Sequence, residues 1–197
     1  MARHLIRLAL ILALVAGCSP ERPAVSAAPP TTTTDGAVSA TSPFNATDVM
    51  FLQMGLAQIA EGDQVAQLAA QRAGDARIRA VATELRTQWR DESGPMQRWL
   101  LGWQQPLAAD PSAGAHAGHG ALHALRAADL QDLRSASGSD FDRTAVSLLL
   151  GQLANCVETS RMEESGGAYP PARSLAATVT QRRQSQIQRL LTLAAGQ

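Results

Sequence analysis

Three of the four histidines in this chain fall close together, at His116, His119 and His123 in the stretch HAGHGALH. Spacings of three and four residues let one loop turn three imidazoles onto a single Cu(II), Ni(II) or Zn(II) ion. The alternative is a solvated Gly/Ala/His linker without a ligand, because no acidic residue or cysteine completes the set. The other reactive groups stand alone. Cys156 sits among apolar residues between Leu149 and Val157, which is the setting of a small buried side chain and not of an activated thiol. Glu92 shares a seven-residue line with Leu85 and Trp99, so it is expected either to pair with an arginine such as Arg161 or to be exposed beside Pro95. Gln58 lies seven residues from both Phe51 and Val65, where a purely structural helix would carry an apolar side chain. Nucleophilic catalysis by a serine or by Cys156 needs a base, and no histidine falls in a segment with core-helix periodicity. A di-iron oxidative bundle, which needs Glu-x-x-His pairs on its helices, fails for the same reason. The chain is not expected to be an enzyme.

With 197 residues, zero formal net charge and 17% charged residues, the chain suits one modest domain plus extensions. All seventeen basic residues are arginine, yet no basic excess exists to hold a phosphate backbone, so nucleic acid is excluded as a partner. Arg3 and Arg7 precede the apolar run LALILALVAG, which is too short to span a membrane and reads as a targeting segment. It ends in Val15-Ala16-Gly17-Cys18, which resembles the lipobox of bacterial lipoproteins. That resemblance implies cleavage before Cys18 and a diacylglycerol on its thiol; a plain secretory signal with a chance cysteine is the competing reading. Two acyl chains would hold the protein stably at a membrane surface. Residues 1–17 are therefore assigned to a lipoprotein signal peptide, and 18–43 to the lipidated cysteine and a Pro/Thr/Ala-rich tether with little to bury. The membrane is the expected partner and the outer side of the bacterial cell envelope the expected location. With Cys18 modified, Cys156 has no intramolecular partner and no disulfide is expected.

Helical periodicity dominates from Phe44 onward. A first helix begins near Asn45 or Thr47 and runs to about Ala73, with Gly74-Asp75 ending it and capping the next. The second carries Ile78, Leu85 and Trp99 on one line, flanked by Ala82, Trp89, Met96 and Trp103, and Pro95 predicts a kink or break in it. The three tryptophans read as core and rim. After a loop over 104–120, a short helix near 124–136 ends at Gly138, a long helix covers about 139–164, and a last one runs from about Ala172 to Ala194. No strand pattern is present. The halves, about 44–104 and 138–197, match without gaps at an offset of 94 positions, pairing Asp48 with Asp142, Gln58 with Gln152, Ala82 with Ala176 and Met96 with Leu190. A duplicated helical hairpin that buries one stripe per helix closes as a pseudo-two-fold four-helix bundle over 44–197, with a short extra helix in the central connection.

The segments FNATDVMFLQM, RAVATEL, GHGALHALRAADLQDLRSASGSDFDR, ARSLAATV and QIQRLL, in that order, resemble domain-of-unknown-function family 305 across roughly residues 44–192. The resemblance implies an all-α, ferritin-like up-down bundle in a secreted or lipid-anchored protein. It also implies adjacent histidines in the first and third long helices, with copper or other metal binding in some members. Here those positions are Gln58-Ile59 and Gln152-Leu153, the acid beyond the first pair is Gln64, and the glutamate of the last helix is Gln186. Asp48, Glu92 and Asp142 keep the family's acidic type. Glutamine offers a neutral amide oxygen in place of an imidazole nitrogen, so Gln58 and Gln152 read as former ligand positions whose amides either face one another or point into a solvated gap. No cofactor is expected in the bundle. The function so implied is a non-enzymatic binding or structural module in the envelope, the alternative being copper or zinc buffering through the loop histidines.

Overall fold

The computed structural model describes residues 42–109 and 125–196. The targeting segment, Cys18 and His116, His119 and His123 lie outside the described residues. Five helices follow one another, α1 (Ala46–Arg72), α2 (Ala76–Gly102), α3 (Ala127–Ser135), α4 (Gly138–Gly166) and α5 (Pro170–Ala195), and the described residues contain no strand.

The helix starts follow from side-chain oxygens that satisfy orphan N–H groups. Asn45 accepts from the amides of Thr47 and Asp48, and Asp48 returns the bond by accepting from the Asn45 amide at 2.7 Å. Asp75 accepts from the Arg77 amide at 2.7 Å and opens α2. Three boundaries differ from the sequence expectation. The α2 helix runs unbroken through Pro95, because buried Met96 and Leu100 hold the following turn against the core and outweigh the one lost backbone bond. Gly138 does not end α3, which closes at Ala136; it adopts φ +59 at the start of α4, a conformation that costs glycine nothing. Helix α5 starts at Pro170, two residues earlier than expected, since proline fits the first turn of a helix.

Asn45 Nδ2 donates to the Gly166 carbonyl at 2.8 Å, which joins the start of α1 to the end of α4. Trp103 beyond α2 packs edge-on against Tyr169 before α5, with centroids 5.1 Å apart. Helices that are neighbours in space therefore run antiparallel, with α1 and α5 in one direction and α2 and α4 in the other. The short helix α3 lies at the opposite end of the bundle, where Arg72 donates to the carbonyls of Arg134 (3.0 Å) and Ala136 (2.7 Å). This is a ferritin-like four-helix bundle. Among the described residues no helix is long and apolar enough to cross a membrane.

The core divides in two. One cluster, around Val65, Ile78, Leu85, Trp89, Phe141, Leu149, Leu153 and Leu190, fills the end near α3; the other joins Phe51, Leu52, Met96, Leu100, Ala172 and Ala176 at the Asn45 end. The apolar seam expected along α2 is interrupted at Glu92, which lies between Trp89 of one cluster and Met96 of the other.

A polar layer in the middle of the bundle

On the α1–α4 side of the layer, Gln152 is buried and its Nε2 donates to the backbone carbonyl of Gln58 at 2.7 Å. The half-buried Gln58 sends its own Nε2 to Thr159 Oγ1 at 2.9 Å. The two glutamines thus meet, but not amide to amide, because Thr159 on α4 draws the Gln58 side chain away. Gly62 makes this approach possible: a Cβ there would lie 2.7 Å from Trp89 Cη2 and 3.0 Å from Gln152 Cγ.

On the α2–α5 side, Arg183 is wholly buried. Its Nη2 donates to Glu92 Oε2, and its Nη1 donates to Gln88 Oε1 (2.5 Å) and Gln186 Oε1 (3.1 Å). The guanidinium also lies 5.7 Å from the centre of the Trp89 ring, within cation–π range. Gln186 Nε2 donates to Glu84 and Gln88, both at 3.0 Å, and Arg189 closes the chain on Glu84 at 2.6 Å. Arg182 stands 3.5 Å from the second oxygen of Glu92. Burial pushes the Glu92 carboxyl above its usual range even though Arg183 and Arg182 pull the other way. Arginine pairing of Glu92 was expected; the partner is Arg183 with Arg182 behind it. Arg161 is exposed on α4 instead.

The remaining sequence candidates separate by position. Gln186 and Leu153 are buried in or beside the layer and Ile59 is half-buried beside the apolar clusters, but Gln64 is exposed and reaches back to the Ala60 carbonyl, outside the interior. Asp48 and Asp142 brace helix starts: Asp142 accepts from the amides of Gly74 and Asp75, both at 2.9 Å, and Asp48 from those of Ala168 (3.0 Å) and Tyr169 (2.9 Å). Cys156 is buried, and desolvation pushes its thiol up to about 11 against the nearby Arg183, so it stays a protonated packing group. Arg183 itself was not singled out from the sequence. Its signal is there, since it falls on the buried line of Ala176, Val179, Gln186 and Leu190.

These donors do not fit a transition-metal centre. Gln58 and Gln152 spend their amides on protein partners, Ile59 and Leu153 have nothing to give, and the two carboxyl groups of the layer, Glu92 and Glu84, already hold the guanidinium groups of Arg183 and Arg189. Among the described residues no group of three His, Cys, Asp or Glu side chains converges.

The family model for Domain of unknown function (DUF305) matches residues 48–194. No curated protein matches the chain. Among solved structures, a DUF305 fragment from Deinococcus radiodurans is 18% identical and superposes with a TM-score of 0.66, covering 79% of this chain and 99% of its own. A DUF305 protein from Streptomyces coelicolor is 17% identical, with a TM-score of 0.69 over 76% of this chain and 91% of its own. CopM in its Cu(II)-bound form is 19% identical, with a TM-score of 0.64 over 76% of this chain and 96% of its own. At these identities the likeness is one of fold.

Proposed function

Because this chain belongs to the family Domain of unknown function (DUF305), we propose that it is an exported, lipid-anchored member in which an arginine-centred polar layer occupies the level of the bundle where the family resemblance implies metal ligands, and that it acts as a non-enzymatic binding or structural module of the cell envelope. The observation that carries this reading is the wholly buried Arg183 held by Glu92, Gln88 and Gln186. A guanidinium never deprotonates in proteins, so it supplies the positive charge that a buried carboxylate needs and repels any further cation. The anchor rests on the Val15-to-Cys18 pattern.

CopM gives a second reading its support, since its Cu(II)- and Cu(I)-bound forms share this fold at a TM-score of 0.64. On that reading His116, His119 and His123 hold the ion. Calorimetric titration of the full chain with Cu(II) and Zn(II), prepared without a histidine tag, separates the two. Binding that disappears when all three histidines become alanine assigns metal to the loop; stoichiometric binding that survives places it in the bundle and overturns the arginine-layer reading. Cys18→Ser should move the protein out of the membrane fraction, and unchanged fractionation would refute the anchor.

A further inference from the structure

The internal duplication is broken at the buried junction of α4 and α5. Asp48 is wholly buried, and its two oxygens accept the amides of Asn45 (2.7 Å), Ala168 (3.0 Å) and Tyr169 (2.9 Å), tying the start of α5 to the start of α1. Its counterpart Asp142 ties the start of α2 in the same way. Beside Asp48, however, stands Glu163, and at the offset of 94 positions the residue beside Asp142 is Ala69. The same offset relates Gly167 to Ala73. Glu163 is wholly buried, and a Cβ on Gly167 would fall 2.2 Å from its Oε1. One half therefore carries a long acidic side chain over a glycine where the other carries two alanines. The junction is shaped around a carboxyl group.

Neither oxygen of Glu163 receives a hydrogen bond from a protein N–H or O–H, and the polar group it meets is the Asp48 carboxyl. Two buried carboxyl groups in contact do not both ionise. Asp48, with three amides aimed at it, keeps the charge. The same amides direct positive hydrogens at both Asp48 oxygens and leave a poor seat for a metal cation, so the species that fits between the two groups is a proton. We propose that Asp48 and Glu163 share one proton, and that its loss at alkaline pH releases the start of α5, making the α4–α5 junction a pH-sensitive latch.

Burial, then the hydrogen bond to Asp48 and its charge, push the Glu163 carboxyl up to about 8, with Arg173 on α5 opposing. Burial also raises Asp48, but the Asn45 amide, the Glu163 hydroxyl and the amides of Tyr169 and Ala168 outweigh it and leave that carboxyl below its ordinary value. The charged groups acting on Glu163 are thus Asp48 from α1 and Arg173 from α5. Trp99 of α2 and Trp103 just beyond it pack edge-on against Tyr169 of the same junction, with centroids 5.5 and 5.1 Å away. Folded Glu163 keeps a proton that the unfolded chain releases above the ordinary glutamate value of 4.5. Its contribution to stability is therefore fully present below that value, declines as pH rises towards about 8, and is lost beyond.

The full chain is titrated from about pH 5 to about pH 9 by carbon NMR of its glutamate carboxyls, with tryptophan fluorescence recorded alongside. One glutamate should titrate near pH 8 in step with a change in the fluorescence of Trp99 and Trp103, and E163Q should lack both. Glutamine keeps the volume and donates its amide to Asp48. A Glu163 resonance that titrates in the ordinary carboxylate range, or a fluorescence step shared by E163Q, overturns the proposal. If E163Q does not fold, the wild-type carboxyl titration decides alone.

Discussion

Arg183 lies over the ring of Trp89, 5.7 Å from its centroid, and these two residues are the equivalents of one another in the duplicated hairpins, 94 positions apart. The same step relates Glu92 to Gln186. At the bundle's centre one half supplies an indole and a carboxylate, the other a guanidinium and an amide. The symmetry of the backbone is kept while the side chains become complementary in charge, the guanidinium of one half facing the carboxylate and the indole face of the other.

That complementarity sets the cost of breaking it. Arg183→Met leaves Glu92 buried without its main counter-charge and should destabilise the fold by about 3–5 kcal/mol, whereas adding Glu92→Met should recover most of the loss, because an apolar pair of similar volume tolerates the interior well. Urea unfolding of the two single variants and the double variant gives the coupling directly. Additive losses would mean that Glu92 and Arg183 do not depend on each other.

The braces at the helix starts give a second expectation. Asp142→Asn removes the charge that accepts the amides of Gly74 and Asp75, and should cost about 1.5–3 kcal/mol in the same assay. Ser147→Ala, at an exposed position one to two turns further along α4, should stay within about 0.5 kcal/mol, as surface changes usually do.

Two glycines in long helices should behave in opposite ways. Gly62→Ala would drive a methyl group into the rigid Trp89 ring and cost about 1–3 kcal/mol by overpacking. Gly151 is exposed on α4, and a Cβ there meets nothing within 4 Å, so Gly151→Ala should stabilise by about 0.4–1 kcal/mol through helix propensity and loss of unfolded-state freedom. Melting temperatures of the two variants would move in opposite directions.

Much of this architecture could be read from the sequence because it is local or repeated. Asn45 and Asp75 are strong caps whatever surrounds them, and the 94-residue offset carried the pairing of the hairpins. Pro95 does not break α2, because its local cost is outweighed by Met96 and Leu100, whose packing depends on the other helices. The layer was half legible: Gln58 and Glu92 stand out as polar residues on apolar lines, Gln152 through the internal offset and Gln186 through the family resemblance, but Arg183 does not, since an arginine is ordinarily exposed. Choosing Arg183 over Arg161 as the partner of Glu92 needs the three-dimensional seam between α2 and α5. Glu163 escaped for the same reason, its significance being visible only beside Asp48 and Gly167.

The layer also predicts what rebuilding a metal centre would require. Histidine at Gln58, Ile59, Gln152 and Leu153 returns imidazole nitrogens to facing helices, which borderline metals prefer over amide oxygens. Arg183 would remain inside the bundle, and unit charges roughly 8 Å apart repel by about 2 kcal/mol at an effective dielectric of about 20. That alone is more than tenfold in affinity. The four-histidine variant should therefore bind Cu(II) or Zn(II) at least tenfold more weakly than the same variant carrying Arg183→Met, which also frees Glu92 to serve as a ligand. Binding by both should fall below about pH 6, as the imidazoles take up protons. Calorimetric titration of the two variants, with His116, His119 and His123 replaced by alanine in each, isolates the bundle from the loop. Equal affinities would show that the buried guanidinium does not oppose a cation in the bundle.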